Sequence, residues 1–366
     1  MNRTGRPSGV SVPTPEHVLE ALTRANGYFM NRWPDPCAPI VRDITRPSNI
    51  WTRATYYEGL LALYRITQDP ALYEYAVRWA SGHRWGLRNG PLTRNPDDQC
   101  CGQAYIELYE LDAKPERISD ITACIDHLVR LPENDDWSWV DTLHMAMPVF
   151  AKLGVLLRRP AYLEKMHALY RYTKTHHGVS GLYNPADHLW WRDKDFCPPY
   201  AEPNGEDCYW SRGNGWVIAA LARVLDVLPA KSPHRQEYVR DFNDMVVALE
   251  AVQRDDGFWN VSLHDPSHFG GPESSGTAFF VCGIAWGITN GILDGDVHTE
   301  AAARGWNALS RRALHDNGFL GFVQGTAKQP SDSQPVTYDS VPNFDDFGVG
   351  AFLLAGSQVY ELASRA

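Results

Sequence analysis

Residues 210–228 read Trp-Ser-Arg-Gly-Asn-Gly-Trp-Val-Ile-Ala-Ala-Leu-Ala-Arg-Val-Leu-Asp-Val-Leu. Counted from Trp216, the apolar residues fall at i, i+1, i+4, i+5, i+8, i+9 and i+12, which places them on one face of a helix. Pro229 and Pro233 follow directly, and proline cannot continue a helix in the middle of its hydrogen-bonding pattern. The segment therefore predicts a helix over 212–228 with one buried face.

The same periodicity predicts an all-helical chain of twelve helices with almost no strand. The links between helices alternate in length: the link after an even-numbered helix is short, as at 229–232, and the link before one is long, as at 178–211. The link 132–137 is the short exception. The predicted helices span 15–32, 51–67, 69–83, 98–112, 115–131, 138–157, 159–177, 212–228, 233–253, 275–291, 298–311 and 345–364.

Alternating short and long links predict six antiparallel helix hairpins with every long link at one end. We expect them to close into an (α/α)6 toroid, with the odd-numbered helices outside and the even-numbered ones inside; an open helical solenoid is the alternative. The six inner N-termini would then share one mouth, where long loops place functional residues. The chain is predicted to be a single catalytic domain over 1–366, with 1–14 as a flexible N-terminal extension.

Composition narrows the function classes. The net charge of −10 argues against nucleic-acid binding, because a phosphate backbone requires a basic surface, although a few arginines can still bind one small anion. The 13 Trp and 17 Tyr residues suit either sugar-binding platforms or the core of a large helical protein. An odd count of seven Cys, no signal-peptide pattern and no apolar run of membrane-spanning length favour a cytoplasmic protein without membrane contact.

Asp141 is the first candidate for chemistry. It lies in Trp137-Ser-Trp-Val-Asp-Thr-Leu-His-Met145, at the predicted start of an inner helix. A carboxyl group among apolar residues is unfavourable unless it is exposed, hydrogen-bonded or functional. Neighbouring indoles raise such a pKa and a helix N-terminus lowers it, which suits a general acid or base. A structural, hydrogen-bonded aspartate is the alternative.

Other acidic and basic groups lie at the same helix ends. Asp97 and Asp98 precede the second inner helix; one is expected to cap it and the other to face the mouth. Arg212 lies between two tryptophans and could bind a carboxylate as a bidentate fork, with a glycine turn beside core tryptophans as the alternative. The 13 His show no HExxH pattern or paired spacing, so neither a metal nor a cofactor is expected.

The motifs together resemble the unsaturated glucuronyl and rhamnogalacturonyl hydrolases of glycoside hydrolase family 105. The matching pieces run in order along nearly the whole chain: Tyr56-Tyr-Glu-Gly-Leu60, Asn95-Pro-Asp-Asp-Gln-Cys-Cys-Gly-Gln103, Trp137-Ser-Trp-Val-Asp-Thr-Leu-His-Met145, Gly181-Leu-Tyr183, Leu189-Trp-Trp-Arg-Asp193, Trp210-Ser-Arg-Gly-Asn-Gly-Trp216 and Asp346-Phe-Gly-Val-Gly-Ala-Phe-Leu-Leu-Ala355. Two of these motifs, WxDxLxM at 139–145 and WxRGNGW at 210–216, are together fairly specific for the family, and the others support them.

The resemblance implies a reaction and a set of site residues. Members hydrate the C4=C5 double bond of a 4,5-unsaturated uronic acid left by a polysaccharide lyase, so the substrate is a small anionic oligosaccharide. The catalytic aspartate matches Asp141, and the second aspartate matches Asp97 or, after a one-residue slip, Asp98. The predicted substrate-binding residues are Tyr56, Asp98, Trp137, Trp139, His144, Arg192, Trp210, Arg212, Asn214 and Trp216.

Two departures from the family pattern concern substrate preference. Some members have His where this chain has Arg192, and some have Lys in the loop that is 132–136 here. Three other functions remain open: a conventional inverting glycosidase with two carboxylates, a sugar epimerase, for which the expected pair of histidines is missing, and a non-catalytic carbohydrate-binding toroid. The sequence does not indicate the oligomeric state or the leaving sugar.

Overall fold

The computed structural model describes residues 11–42 and 44–365. Its α-helices are α1 (Pro15–Arg32), α2 (Trp51–Thr67), α3 (Pro70–Gly82), α4 (Pro96–Gln99), α5 (Cys101–Leu111), α6 (Ser119–Arg130), α7 (Asp141–Leu156), α8 (Pro160–Thr175), α9 (Ser211–Val227), α10 (Arg235–Ala251), α11 (Ser274–Thr289), α12 (Asp296–Ala308) and α13 (Asp346–Arg365). Short 3₁₀ turns cover Pro115–Arg117 and Lys194–Phe196, and a π turn, Leu309–Ala313, follows α12. Of the predicted extension 1–14, residues 1–10 lie outside the described residues.

Six helices form a closed inner ring. Helices α2, α5, α7, α9, α11 and α13 each pack against the next, and α13 packs against α2. Around this ring, α1, α3, α8, α10 and α12 pack on α13, α2, α7, α9 and α11, and α6 packs on α8. The predicted (α/α)6 toroid, with the even-numbered predicted helices inside, is therefore confirmed, and the open solenoid is excluded.

Burial follows the two rings. In α11 every residue from Ser274 to Gly287 is buried, because an inner helix is surrounded on all sides. The outer helix α8 buries only a stripe, which consists of Tyr162, Lys165, Met166, Leu169, Tyr170 and Thr173. Both patterns could be read from the sequence, since one helix is apolar throughout and the other alternates apolar with charged residues.

The long links lie before the inner helices and contain three two-stranded antiparallel hairpins. These pair β1 (Ile40–Val41) with β2 (Thr45–Arg46), β3 (Tyr183–Asn184) with β4 (Leu189–Trp190), and β5 (Trp259–Asn260) with β6 (Pro272–Glu273). Two residues per strand are too few for the alternating pattern that identifies a strand in sequence. Among the described residues, no helix combines the length and hydropathy that crossing a bilayer requires.

One predicted helix has a different start. The structure divides the predicted helix 98–112 into α4 and α5, and α4 begins at Pro96 because the side chain of Asn95 accepts a hydrogen bond from the backbone N–H of Asp97 at 3.0 Å. The expectation that Asp97 or Asp98 caps this helix was therefore wrong. The cap is Asn95, which leaves both carboxyl groups available for other contacts.

The inner ring closes where α13 packs against α2, and at this contact the two backbones are too close for a side chain to fit between them. A Cβ atom added to Gly350 would lie 2.3 Å from the carbonyl oxygen of Thr55, and one added to Gly59 would lie 2.5 Å from the carbonyl oxygen of Gly350. Only glycine permits this backbone approach. Closure of the toroid therefore depends on a glycine in each of the two helices.

We expect Gly350→Ala to lower the free energy of unfolding by about 2–3 kcal/mol, because the added methyl group must force α13 away from α2. Urea denaturation followed by circular dichroism measures this change. The matched control is Gly27→Ala in α1, where an added Cβ meets nothing within 4 Å. Alanine there should be neutral or stabilise by about 0.5–1 kcal/mol. Equal effects at the two positions would contradict close packing at the ring closure.

Candidate active site

Three inner helices and the short helix α4, which precedes the inner helix α5, contribute their N-termini to one cavity. Trp51 begins α2, Asp97 lies in α4, Asp141 begins α7 and Arg212 is the second residue of α9, and all four line the same space. Trp139, Met145, Arg192, Trp210, Thr326 and Ala327 complete the lining. The structure thus brings together residues up to 276 positions apart in sequence (51 to 327), as the shared mouth of the toroid predicts.

Asp141 is held in place by a neighbouring loop. The backbone N–H of Val140 donates to the carbonyl oxygen of Arg192 at 2.9 Å, and Trp139 forms a β-bridge with Asp193. These contacts place the Nε of Arg192 3.2 Å from the Oδ2 of Asp141, which is 8% exposed. Burial raises the pKa of Asp141 above its ordinary value, while the positive charges of Arg192 and Arg212 oppose that rise.

Asp97 is the second carboxyl group of the cavity. Burial, followed by the negative charge of Asp141, raises the pKa of Asp97 to about 7, against the opposing charges of Arg88 and Arg192. Two interacting acids in one cavity titrate as a pair, so the pair retains one proton up to near-neutral pH. A pair of this kind suits a reaction that needs both a proton donor and a proton acceptor.

Asp98 has a different position, although it is adjacent in sequence. It is fully buried and accepts hydrogen bonds from Arg88 Nε at 2.6 Å, Asn89 Nδ2 at 2.7 Å and Thr93 Oγ1 at 2.8 Å. These donors all belong to the long link before α4. Asp98 therefore organises that link, and the structure places Asp97, not Asp98, at the cavity.

Arg212 is buried and its donors are largely used by the protein. Its Nη1 donates to the carbonyl oxygen of Gln324 at 2.7 Å and its Nη2 to that of Gly325 at 2.6 Å, while its guanidinium lies 4.6 Å from the ring centre of Trp210. Burial lowers the pKa of Arg212 to about 10. These contacts do not fit the interpretation that Arg212 is free to bind a substrate carboxylate as a bidentate fork. Arg212 instead holds in place the segment that brings Thr326 to the cavity.

Trp210 and Asn214 also hold structure around the cavity. The Nε1 of Trp210 donates to Gln324 Oε1 at 2.8 Å while its ring lines the cavity. Asn214 accepts from the backbone N–H of Trp190 at 2.9 Å and donates to the carbonyl oxygen of the same residue at 3.0 Å. Asn214 therefore ties β4 to α9, and the structure does not place it in the cavity lining.

Four further predicted residues are core residues in the structure. Tyr56 donates to Asn26 Oδ1 at 2.8 Å between α2 and α1, and Trp137 packs on Phe150. Both side chains are fully buried in these contacts, and neither lines the cavity. His144 and Trp216 lie within the ring, with His144 Nε2 2.9 Å from Glu58 Oε2 and the two rings 4.9 Å apart. These residues belong to the wall beneath the site.

The cavity widens outward into a cleft that the sequence did not indicate. It shares Trp51, Asp97, Arg192, Thr326 and Ala327 with the inner cavity and is further lined by Arg46, Ile50, Thr52, Arg88, Lys328, Asp332 and Phe344. Most of these added residues lie on the long links before inner helices, where no periodicity marks a position. Trp51 was also missed, although the first residue of an inner helix is where the toroid places site residues.

Comparison with known proteins assigns the family. The model for Glycosyl Hydrolase Family 88 matches residues 21–363. The chain belongs to this family. It is a glycosidase, and the predicted resemblance to the unsaturated uronyl hydrolases is confirmed.

Three relatives illustrate the match of this family 88 glycosidase. The unsaturated 3S-rhamnoglycuronyl hydrolase of Formosa agariphila is 31% identical over 334 residues, which cover 85% of this chain and 84% of that protein. A family 88 glycosyl hydrolase from Bacteroides vulgatus is 31% identical with a TM-score of 0.86, covering 96% and 100% of the two chains. A solved structure named as a polysaccharide lyase is 32% identical with a TM-score of 0.85, covering 94% and 97%.

Proposed function

We propose that this glycosidase removes a 4,5-unsaturated uronic acid from the non-reducing end of lyase-generated oligosaccharides by hydrating the C4=C5 double bond. The observation that supports this most directly is the pair of carboxyl groups, the half-buried Asp97 and the buried Asp141, in one cavity with Arg192. The name of the Formosa relative as an unsaturated rhamnoglycuronyl hydrolase agrees with the proposal.

The proposed reaction uses the one proton that the carboxyl pair retains. Asp141 delivers a proton to C4 of the enol ether, and positive charge develops at C5 and the ring oxygen. Water then adds at C5 and gives its proton to the carboxylate that has just been formed. The resulting hemiketal opens to a ketone at C5, the exposed hemiacetal at C1 breaks down, and the leaving sugar departs with a hydroxyl group. When that proton lies on Asp141, Asp97 is the ionised partner, and the mutual repulsion of the two acids keeps the proton bound to the pair up to about pH 7.

The charges of the cleft favour an anionic substrate. Five basic residues line the cavity and its outer cleft, namely Arg46, Arg88, Arg192, Arg212 and Lys328, against three acidic residues, Asp97, Asp141 and Asp332. At near-neutral pH one of the three acids is protonated, so the excess of positive charge grows. A carboxylate on C5 of an unsaturated uronic acid would be attracted to Arg192, which lies beside Asp141.

We expect Lys328→Ala to raise KM several-fold with little change in kcat, since Lys328 lies in the outer cleft and not beside the carboxyl pair. Added salt should weaken substrate binding by the wild type more than by the variant. Salt screens the attraction between the exposed Lys328 and the anionic substrate, and the variant lacks this attraction. Steady-state kinetics at two ionic strengths measure both effects. The control is Lys231→Ala, an exposed lysine on the short link between α9 and α10, which should leave KM unchanged.

A conventional inverting glycosidase remains the competing mechanism, with the same two aspartates as acid and base. Family membership leaves no support for the binding-only alternative or the epimerase. We also propose a cytoplasmic location. All seven cysteines are free thiols, and six of them are buried, which suits a reducing compartment.

The experiment mixes the purified chain with lyase-generated unsaturated disaccharides and follows the ultraviolet absorbance of the conjugated double bond. The proposal expects the absorbance to fall with at least one glucuronyl or galacturonyl substrate. Unchanged absorbance across both classes, with the protein folded by circular dichroism, would refute the proposed function.

A further inference from the structure

Two carboxylates and one histidine, side chains that commonly bind metal ions, lie close together outside the cavity lining. Glu202 belongs to the long link before α9, and Asp265 and His268 belong to the long link before α11. One ligand atom from each, two carboxylate oxygens and an imidazole nitrogen, lies within 4.8 Å of the others. Within the described part of the chain, it is the one such group of three or more residues.

The charge balance of this group is unfavourable without a cation. Glu202 is 3% exposed and Asp265 is 1% exposed. Glu202 forms an ion pair with His268. Among the described residues, no lysine or arginine forms an ion pair with Glu202 or Asp265. Burial of two carboxylates with at most one positive charge is costly, and a bound cation relieves that cost.

The surrounding hydrogen bonds orient the three groups toward a common point. Ser262 Oγ donates to Glu202 Oε1 at 2.7 Å, while the backbone N–H groups of Ser267 and His268 donate to Asp265 Oδ1 at 3.0 and 3.2 Å. The other two oxygens each have one partner: Asp265 Oδ2 accepts from the backbone N–H of Asn204 at 3.1 Å, and Glu202 Oε2 contacts Nδ1 of His268. Each of these two oxygens therefore keeps a lone pair that can bind a metal. Such outer hydrogen bonds are a regular feature of metal sites, where they fix the orientation of the ligands.

We propose that Glu202, Asp265 and His268 form a binding site for a divalent transition-metal ion. One imidazole and two carboxylates form a mixed donor set that suits Zn²⁺ or Mn²⁺ better than the all-oxygen sets preferred by Ca²⁺ and Mg²⁺. The side chain of His268 is 22% exposed, which gives the ion a path from solvent. The proposal departs from the sequence-based expectation of no metal, because that expectation relied on histidine spacing alone.

The site would join two loops that support the catalytic cavity. These loops already pair through a β-bridge between Trp210 and Ser262 and through a 2.9 Å hydrogen bond from the N–H of Leu263 to the carbonyl oxygen of Tyr209. Trp210 lines the cavity. The metal is therefore structural in this proposal, and its binding does not depend on the identity of the substrate.

The test uses the full-length protein after dialysis against a chelator. Titration calorimetry and thermal unfolding with ZnCl₂ or MnCl₂ should show one ion bound per chain and a rise of several degrees in Tm. Asp265→Asn should abolish both, and Ser262→Ala should weaken the affinity by about 10–100-fold. His268→Gln, at a partly exposed position, provides the same test if a buried variant does not fold.

The matched control is His264→Gln, which removes a histidine from the same loop but outside the group and should retain full binding. Saturable binding that is lost in Asp265→Asn and His268→Gln and kept in His264→Gln supports the site. An absence of saturable binding, or equal binding by all four proteins, would overturn it. Because the readout is binding and Tm, this outcome is independent of whether the proposed hydration reaction is observed.

Discussion

Asp141→Asn is expected to lower kcat/KM on an unsaturated disaccharide by about 10²–10⁴-fold, the range that a positioned general acid or base contributes. Asparagine has nearly the same shape but neither delivers nor accepts the proton. The carboxylate also faces Arg192 at 3.2 Å, so the variant loses the group around which the guanidinium is positioned. The rate of absorbance loss under kcat/KM conditions measures the effect.

The matched control is Asp195→Asn, an exposed aspartate in the 3₁₀ turn close to Arg192 in sequence. It should keep wild-type kcat/KM. Circular dichroism of both variants separates lost chemistry from lost folding. If Asp141→Asn retained more than about a tenth of the wild-type activity, Asp141 could not be the group that transfers the proton.

Asp97→Asn is expected to change the pH profile as well as the rate. The pair retains a proton up to about pH 7, so kcat/KM of the wild type should fall as the pH rises through that value. In the variant, Asp141 titrates without a neighbouring acid, and Arg192 and Arg212 favour its ionised form. The alkaline limb of the variant should therefore move to lower pH, with kcat reduced by about 10²-fold. An alkaline limb that stays near pH 7 would show that Asp97 is not part of the titrating pair.

Asp97→Asn should lower the catalytic rate but raise the stability of the folded protein at alkaline pH. The pKa of Asp97 is raised from 3.8 to about 7 in the folded protein, so the native state binds more protons than the unfolded state between these values. Its contribution to stability is complete below about pH 4 and is lost as the pH rises through about 7. Asp97→Asn should thus be more stable than wild type at pH 8, by about 1–2 kcal/mol, and similar at pH 4. Urea unfolding at the two pH values measures the difference.

The fold could be predicted because helix periodicity and link length are local features. The apolar face of residues 216–228 and the alternation of short and long links were sufficient for the two rings. The sequence did not predict that the helix is divided at Cys100 or that Asn95 caps α4. Several neighbouring residues have side chains that can cap a helix, and the backbone geometry decides which of them does so. The closure of the ring at Gly59 and Gly350 also required coordinates, since a glycine inside a helix does not identify its neighbour.

The site could be predicted only in part. Asp141, Asp97, Trp139, Arg192, Trp210 and Arg212 line the cavity, whereas Tyr56, Asp98, Trp137, His144, Asn214 and Trp216 are structural residues around it. A sequence motif shows that a residue lies near the end of a helix, but it does not show on which side of the helix the residue lies. Residues that line the cavity therefore cannot be distinguished in the sequence from residues that support its wall. The cationic cleft was missed because its residues lie on loops whose paths are set by tertiary contacts.

The most direct test of the proposed hydration follows double-bond absorbance and the appearance of the leaving sugar in the same reaction. Hydration destroys the double bond before the sugar can leave, so absorbance loss should never be slower than sugar release, in wild type and in the Asp195→Asn control. Conventional cleavage at the anomeric carbon releases sugar first and leaves the double bond intact. Sugar release that is faster than absorbance loss would contradict hydration and support the two-carboxylate inverting mechanism.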